Sequence, residues 1–336
     1  MGVTIRDVAK AAGVSASTVS RVFNHSDLVT EETQLRVRTV ARQMGYRPNA
    51  TAKSLSHGRT EAIGVVLPTP HGEFFSEIIR GIDNVAKDAE HYLLISSARY
   101  TLSESAAALE ALRGRVDGLL VMTTHVETPQ DVLDDHAIDS PVVFMNSAMS
   151  DAGVDSFEIE NRDGAYDATQ HLIEQGNRRI GLMLGPPDSH DVRERMEGYR
   201  DALTDAGLDP DAQPVIHGDF TQASGYQAGQ QILALSPRPD AVFSCNDYMA
   251  IGAMSALQEA GVQIPEDIAI AGFDDIPSAR YSSPSLTTVQ VPVYDLGRRA
   301  AERLVEIIQA PTPPTPEALV LPSQLVVRAS SVRSSA

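Results

Sequence analysis

The chain has 336 residues, 42% of them hydrophobic, one cysteine and a net charge of −18. That length exceeds one compact domain, the apolar runs are too short to span a bilayer, and a lone Cys245 excludes a disulfide framework or thiolate metal cluster. The acidic balance argues against a nucleic-acid partner until its distribution is read: residues 1–60 carry nine Lys or Arg against four Asp or Glu, and the rest carry 18 against 41. A basic head on an acidic body is the expected charge pattern of a nucleic-acid-binding protein. The opening MGVTIRDVAK holds no apolar signal stretch, so a cytoplasmic protein with no membrane association is expected.

Three short helices are expected first. Thr4 can cap a helix whose first turn holds Asp7, and Val8, Ala11 and Ala12 give it an apolar face. Gly13 ends that helix, and Ser15 caps the next after a single Val14, a link short enough to force the steep crossing of a helix-turn-helix. The second helix, residues 16–23, presents Ala16, Ser17, Thr18 and Ser20 at its start, with Val19 and Val22 facing inward. Side chains of that kind suit base edges and phosphates in a major groove, and Arg21 has the donor fork for a guanine edge or a phosphate. A third helix runs from a Thr30 cap to Gly45, with Val37, Val40, Ala41 and Met44 at helical spacing closing a small core.

The stretch VTIRDVAKAAGVSASTVSRVFN (3–24), continued by GYRPN (45–49), resembles the head of the lactose/galactose-repressor (LacI/GalR) family of bacterial transcriptional regulators. The resemblance implies that Ala16, Ser17 and Arg21 set operator sequence, with Asn24 and Tyr46 structural or phosphate-contacting. The stretch Asn49-Ala-Thr-Ala-Lys-Ser-Leu55 resembles the family's hinge, and a helix that short is marginal alone, so it is expected to order when paired with a twin on DNA. Leu55 matches the family's minor-groove wedge. The implied DNA-contacting set is therefore Thr4, Ser15, Ala16, Ser17, Thr18, Ser20, Arg21, Asn24, Asn49, Ala52, Lys53 and Leu55.

From Glu61 strands alternate with helical stretches. Strands are expected at 62–67, 92–96 and 118–122, with helices at 74–89 and 103–112 between them. After a strand at 154–159 a second series follows: helix 163–175, strand 179–184, helix 195–206, strand 241–244, helix 248–260 and strand 268–272. A further helix spans 291–309, and two last strands lie near 318–321 and 325–328. Two βαβ series mean two doubly wound α/β subdomains with a ligand crevice at the strand carboxyl ends. The fold class is thus α/β, with an all-α helix-turn-helix head and two doubly wound subdomains. The expected divisions are head 1–48, hinge and linker 49–60, body 61–330 and tail 331–336. Within the body, one subdomain takes 61–159 and 292–322, the other 160–291 and 323–330.

The body resembles the same family's type I periplasmic-binding-protein-like effector domain, through FFSEIIRGI (74–82), VDGLL (116–120), DAVFSCNDYMA (240–250), IPED (264–267), GFDD (272–275) and PSLTT (284–288). At the family's positions the implied effector-binding residues are Phe74, Phe75, Asn146, Ser189, Asp191, Arg195, Phe220, Asn246 and Asp274. Carboxylates and amides accept from hydroxyls, Arg195 donates, and aromatic faces stack on a ring. One of Phe74 and Phe75 is expected to be core, and Asp247 to cap the helix that follows it. A purine-sensing relative would carry Arg and Thr where this chain has Ser189 and Asp191, which favours a sugar or sugar-like polyol. The Gly-Asp-Phe220 stretch also suits nucleoside and purine sensors, so both effector classes stay open.

No glycine-rich dinucleotide motif follows a strand, no P-loop, nucleophile elbow or zinc-protease motif occurs, and the nine histidines lack metal-ligand spacing. No catalytic residue, metal or cofactor is therefore expected. A solute-binding receptor would share the body but have no use for residues 3–55. The expected partners are double-stranded operator DNA, a small-molecule effector and a second copy of the chain. Since the tail lacks the family's tetramer-forming heptads, a homodimer is expected.

Overall fold

The computed structural model describes residues 3–24, 28–46, 59–69, 72–98, 102–122, 140–147 and 153–333. The chain divides into two compact units, residues 1–61 together with 115–117, and the remainder from Ala62.

The first unit is built on α1 (Ile5–Ala12), α2 (Ala16–Asn24) and α3 (Glu31–Gln43). Thr4 and Asp7 form a reciprocal capping box at the start of α1. The Thr4 N–H donates to the Asp7 carboxylate at 2.9 Å, and the Thr4 hydroxyl donates to the same oxygen at 2.7 Å. Those hydrogen bonds hold the Asp7 carboxyl below its ordinary pKa. Gly13 closes the helix in the left-handed region at φ 68°, a conformation that costs glycine nothing. Val8, Val19, Val22 and Val37 are completely buried where the three helices meet; each such side chain contributes about 1.5–3 kcal/mol. Thr30 occupies the N-cap position of α3 without a side-chain cap bond, because its hydroxyl donates instead to Thr33 Oγ1 at 3.1 Å.

The second unit contains two parallel sheets. Its elements in chain order are β1 (Ala62–Leu67), α4 (Glu73–Asp88), β2 (Tyr92–Ser97), α5 (Leu102–Leu112), β3 (Gly118–Val121), β4 (Val142–Met145) and β5 (Ser156–Ile159). Then come α6 (Asn161–Glu174), β6 (Ile180–Leu184), α7 (His190–Asp205), β7 (Val215–His217), α8 (Gln222–Ala234), β8 (Ala241–Ser244), α9 (Asp247–Glu259) and β9 (Ala269–Ala271). The last are α10 (Pro277–Tyr281), β10 (Thr288–Gln290), α11 (Val293–Gln309), β11 (Ala318–Leu321) and β12 (Gln324–Val326).

The larger sheet runs β11-β5-β4-β3-β1-β2 and the smaller β7-β6-β8-β9, while β10 and β12 form an antiparallel pair. Strand β1 is buried along its whole length, as a parallel strand covered on both faces must be, and pairs β3 in the register Ile63↔Gly118. The chain leaves the larger sheet after β5, builds the smaller, and returns so that α11 packs on α4 and β11 joins β5. Close packing of α4 on α11 depends on Gly81 and Gly297, since a Cβ on either would overlap the other helix's backbone at Tyr294 or Ile78. No helix among the described residues is long and apolar enough to cross a membrane.

Elements in three stretches escaped the sequence reading, the first of them strand β4. The short strand β7 and helix α8 lie where no element was expected, as do α10 and β10. Strands of three residues carry almost no periodicity, and α8 reads QASGYQAGQQILA, whose buried face holds Gly225, Ala228 and Gly229 with a single large apolar residue, Ile232. Helix α7 begins at His190, five residues before the expected start. That correction matters, because it places Asp191 and Arg195 one turn apart on one helix face.

Candidate functional site

On the head, α2 presents its N-terminal side chains outward. Ser15 accepts from the Thr18 N–H at 3.0 Å and lies 2.7 Å from Ser17 Oγ and 2.8 Å from Thr18 Oγ1, so one serine caps the helix and orients two hydroxyls beside it. Thr4, Ser15, Ser17 and Arg21 are exposed, and Ala16, Thr18 and Ser20 are half-buried. Arg38 anchors the far end of the helix by donating to the Val22 carbonyl at 3.2 Å. Asn24 closes α2. The expected hinge residues Asn49, Ala52, Lys53 and Leu55 lie outside the described residues.

In the body, a cavity of about 390 Å³ opens between the two sheets, and Phe74, Phe75, Asp191, Arg195, Phe220, Asn246 and Asp274 line it. Both phenylalanines contribute, packed edge to face at 5.1 Å, so the expectation that one of them would be core is corrected. Residues at the starts of α4, α7 and α9 converge here because parallel strands deliver their chain ends to one side.

Arg195 is the centre of the polar wall and only 2% exposed. Its Nε donates to Asn161 Oδ1 at 2.8 Å, and its Nη1 donates to the Cys245 carbonyl and to Asp274 Oδ1, the latter at 3.4 Å. The guanidinium lies 3.8 Å from the centre of the Phe273 ring, a cation–π contact in a dry setting. Nη2 has no hydrogen-bond partner among the described residues. Asp191 uses both carboxylate oxygens, Oδ2 accepting from Asn146 Nδ2 at 2.8 Å and Oδ1 from Asn161 Nδ2 at 3.3 Å. Burial raises the Asp191 carboxyl above its ordinary pKa, and Arg195 offsets part of that rise. Burial likewise lifts Asp274, which reaches about 7 despite Arg195.

Backbone strain is concentrated at this wall. Asn146 (φ 47°), Phe220 (φ 67°) and Asp274 (φ 114°) are non-glycine residues in the left-handed region, each costing about 1–3 kcal/mol that the surroundings must hold in place. The Phe220 ring lies over Gly185, where any Cβ would overlap it. Asn246 caps α9, accepting from the Met249 N–H at 3.0 Å while its amide donates to the Phe220 carbonyl at 3.1 Å. The expectation that Asp247 would cap this helix is therefore corrected. Asp247 sits in the first turn, buried, accepting from the Ile276 N–H at 3.0 Å and Thr288 Oγ1 at 2.6 Å.

Two of the expected residues are not in the lining. Asn146 stands behind Asp191 as its donor. Ser189 is fully buried at the N-cap of α7, with a hydroxyl that has no partner among the described residues. Tyr248, Thr69, Met122, Asp219 and Gln222 line the cavity without having been expected. Tyr248 was legible as an aromatic beside Asn246, yet nothing in its spacing showed where it points. It belongs to a clasp across the cavity's edge: its hydroxyl accepts from the Glu73 N–H at 2.7 Å. The Glu73 carboxylate in turn accepts from the Ser278 hydroxyl at 2.7 Å and the Ser278 N–H at 3.1 Å.

A second recess of about 630 Å³ borders residues 290–295 and 322–324. Its carboxylates are engaged with neighbours, Glu77 with Arg80, Asp275 with Arg328 and Asp295 with Arg298, and it lacks the convergence of aromatic faces and open donors found in the cleft.

A helix-turn-helix head joined in one chain to a two-sheet body with a polar, aromatic-walled cleft defines a ligand-responsive DNA-binding regulator. Residues 4–49 match the family of bacterial regulatory proteins of the lacI type, and residues 169–331 match the periplasmic binding protein-like domain. The HTH-type transcriptional repressor PurR of Photobacterium profundum is 37% identical over 309 residues, spanning 91% of this chain and 92% of that protein. The ribose operon repressor of Escherichia coli K12 is 37% identical over 311 residues, spanning 92% and 94%. The Lac repressor dimer solved with operator and the anti-inducer ONPF superposes with a TM-score of 0.84 at 29% identity, covering 99% of this chain and all of that one. The chain belongs to the lacI family and is a DNA-binding transcriptional repressor.

Proposed function

We propose that the protein is a cytoplasmic repressor that binds a near-palindromic operator as a homodimer and is controlled by a sugar or sugar-like effector in the cleft. The observation that carries the effector class is the buried Arg195–Asp274 pair, which leaves Nη2 and carboxylate oxygens beside aromatic faces in a cavity of about 390 Å³. Hydroxyls of a polyol can donate to Asp274 and accept from Nη2 while the ring lies on Phe220 or Phe74. Ala16, Ser17 and Arg21 are proposed to read base edges, with Thr4, Ser15, Thr18, Ser20 and Asn24 on the phosphates. Asn49, Ala52, Lys53 and Leu55 are proposed to form the paired hinge that enters the minor groove.

Control works by population shift. An effector changes DNA affinity only if it binds the operator-competent and incompetent arrangements unequally, and the operator then changes effector affinity by the same factor. A second reading, a nucleoside or purine effector, is favoured by Phe220 on its strained backbone and by the likeness to the HTH-type transcriptional repressor PurR. Thermal unfolding of the purified protein with sugars, polyols, nucleosides and purines separates the two, because a cleft ligand raises Tm by mass action. Stabilisation by a sugar or polyol, lost in Asp274→Ala, is expected. Stabilisation by a nucleobase alone would replace the sugar reading with the second one.

A further inference from the structure

Resting on the reading of the cleft as an effector site for sugar-like compounds, we propose that the effector is uncharged, that phosphorylated and carboxylated sugars are turned away, and that Asp191 enforces this selection. Arg195 is the one cation lining the cavity among the described residues, facing Asp191, Asp219 and Asp274. Its charge is already engaged: Nη1 serves Asp274 and the Cys245 carbonyl, Nε serves Asn161, and Phe273 covers its face. Asp191 acts on Arg195 through Asn161, whose amide donates to Asp191 and whose carbonyl receives Arg195 Nε. An anionic group entering the cleft therefore meets three carboxylates and a guanidinium with one open nitrogen. With Asp274 protonated, two carboxylates still face that one guanidinium.

Proteins also hold phosphates on the free N–H groups of helix N-termini. Three helices begin at the cleft, and this chain's own carboxylates occupy the first turn of each: Glu73 on α4, Asp191 on α7 and Asp247 on α9. All three are tied down, Glu73 to Ser278, Asp191 to Asn146 and Asn161, and Asp247 to Thr288 and the Ile276 N–H. The places where a helix dipole would favour a ligand's negative charge are already occupied by this chain's own side chains. Hydroxyls suffer no such conflict, since they donate to carboxylates and accept from Nη2.

The test pairs neutral compounds with their anionic counterparts on the full chain: D-ribose with ribose 5-phosphate, D-glucose with glucose 6-phosphate and D-gluconate, and inosine as an uncharged nucleoside. Tm shifts rank the compounds and calorimetry gives Kd. A neutral sugar is expected to bind at least ~10-fold more tightly than its anionic partner. An anionic sugar that binds as well as its neutral partner overturns the proposal while leaving the effector cleft in place. Inosine binding with no sugar binding removes the sugar reading and leaves the charge rule standing. In Asp191→Asn the ratio of anionic to neutral affinity should rise at least ~10-fold, a change of ratio that loss of packing would not produce; an unchanged ratio overturns the role of Asp191. Should that variant fail to fold, the exposed Asp219→Asn is expected to raise the same ratio by a smaller factor, and no rise counts against the proposal. If none of the compounds binds, a metabolite mixture is split on an anion exchanger. Stabilisation by the unretained fraction supports the proposal, by the retained fraction alone overturns it, and by neither removes the effector reading beneath it.

Discussion

In the head, the side chains proposed to read base edges, Ala16, Ser17 and Arg21, sit on one short helix close together in sequence, and Ser17 and Arg21 are open to solvent. In the cleft, Asn146, the pair Asp191 and Arg195 on α7, and Asp274 come from three separate segments, are nearly sealed from water and share their hydrogen bonds. A surface reader gains by independence, because one base contact can change while the fold stands. A buried wall gains by interdependence, because each charge needs its partner to remain in a low-dielectric site. Substitutions at the exposed Ser17 and Arg21 should therefore act on recognition alone, and substitutions in the cleft on recognition and stability together.

The sharpest test of that contrast is Arg195→Met. It keeps the side-chain volume but leaves Asp274 and Asp191 without the guanidinium beside them. Removing one partner of a buried pair costs about 3–5 kcal/mol, so Tm should fall by several degrees and the effector response should vanish. Calorimetry and effector titration of the same sample measure both. Loss of response at unchanged Tm would show the cleft to be as modular as the head.

Arg21→Ala is the counterpart. It should cost about 1–3 kcal/mol of discrimination at one base pair if the fork reads a guanine edge, with Tm unaltered because Arg21 is exposed. Anisotropy on operator variants over a salt series is the measurement. A shallower salt dependence with discrimination intact would reassign Arg21 to a phosphate.

Asp274 gives the contrast a pH axis. Burial lifts its pKa from 3.8 to about 7, so between those values the native state keeps a proton that the unfolded chain has lost. Its contribution to stability is therefore full at the acidic end and falls as pH rises toward about 7. An ionised carboxylate is the stronger acceptor for a hydroxyl, so effector affinity should rise as pH passes through about 7. Subtracting the pH–Tm curve of Asp274→Asn from that of the wild type isolates the first trend, and Kd at pH 6 and pH 8 gives the second, with about a tenfold gain or less expected per titrating proton. Two trends of the same sign would mean that the ligand does not use the carboxylate.

The difference between the regions also decides how far each was legible. The head could be read residue by residue, since capping box, turn glycine, Ser15 cap and apolar spacing are local, and Thr4, Gly13 and Val8 carry them within α1 and its ends. The alternating strands and helices were readable wherever burial imposed a long apolar run, as in β1. The cleft was legible in residue type and less so in arrangement. Arg195 and Asp274 stood out as charges in strand-end segments, whereas Asn161, the amide that joins Asp191 to Arg195, looked like any polar residue at a helix start. Strand-end position said nothing about which polar groups face the ligand and which stand behind, so Asn146 and Ser189 were expected in the lining and Tyr248 was not.

The smallest effect separates those two positions. Ser189 was read as a ligand residue, yet its hydroxyl is buried and makes no hydrogen bond among the described residues. Removing a buried polar group that has no partner is neutral or stabilising. Ser189→Ala should therefore leave effector affinity within about twofold and change stability by no more than about 1 kcal/mol, in the stabilising direction. Glu73→Ala supplies the comparison, because it also removes a side chain absent from the polar wall, but one bonded across the cavity's edge to Ser278. Loss of the clasp should weaken every uncharged effector by the same several-fold factor, since it lowers the population of the closed cleft rather than a contact to the ligand. Parallel Kd measurements on both variants decide the matter. If Ser189→Ala also weakens binding, and does so unequally between effectors, its hydroxyl turns toward the ligand when the cleft is filled, and the serine belongs to the site that its place in the sequence suggested.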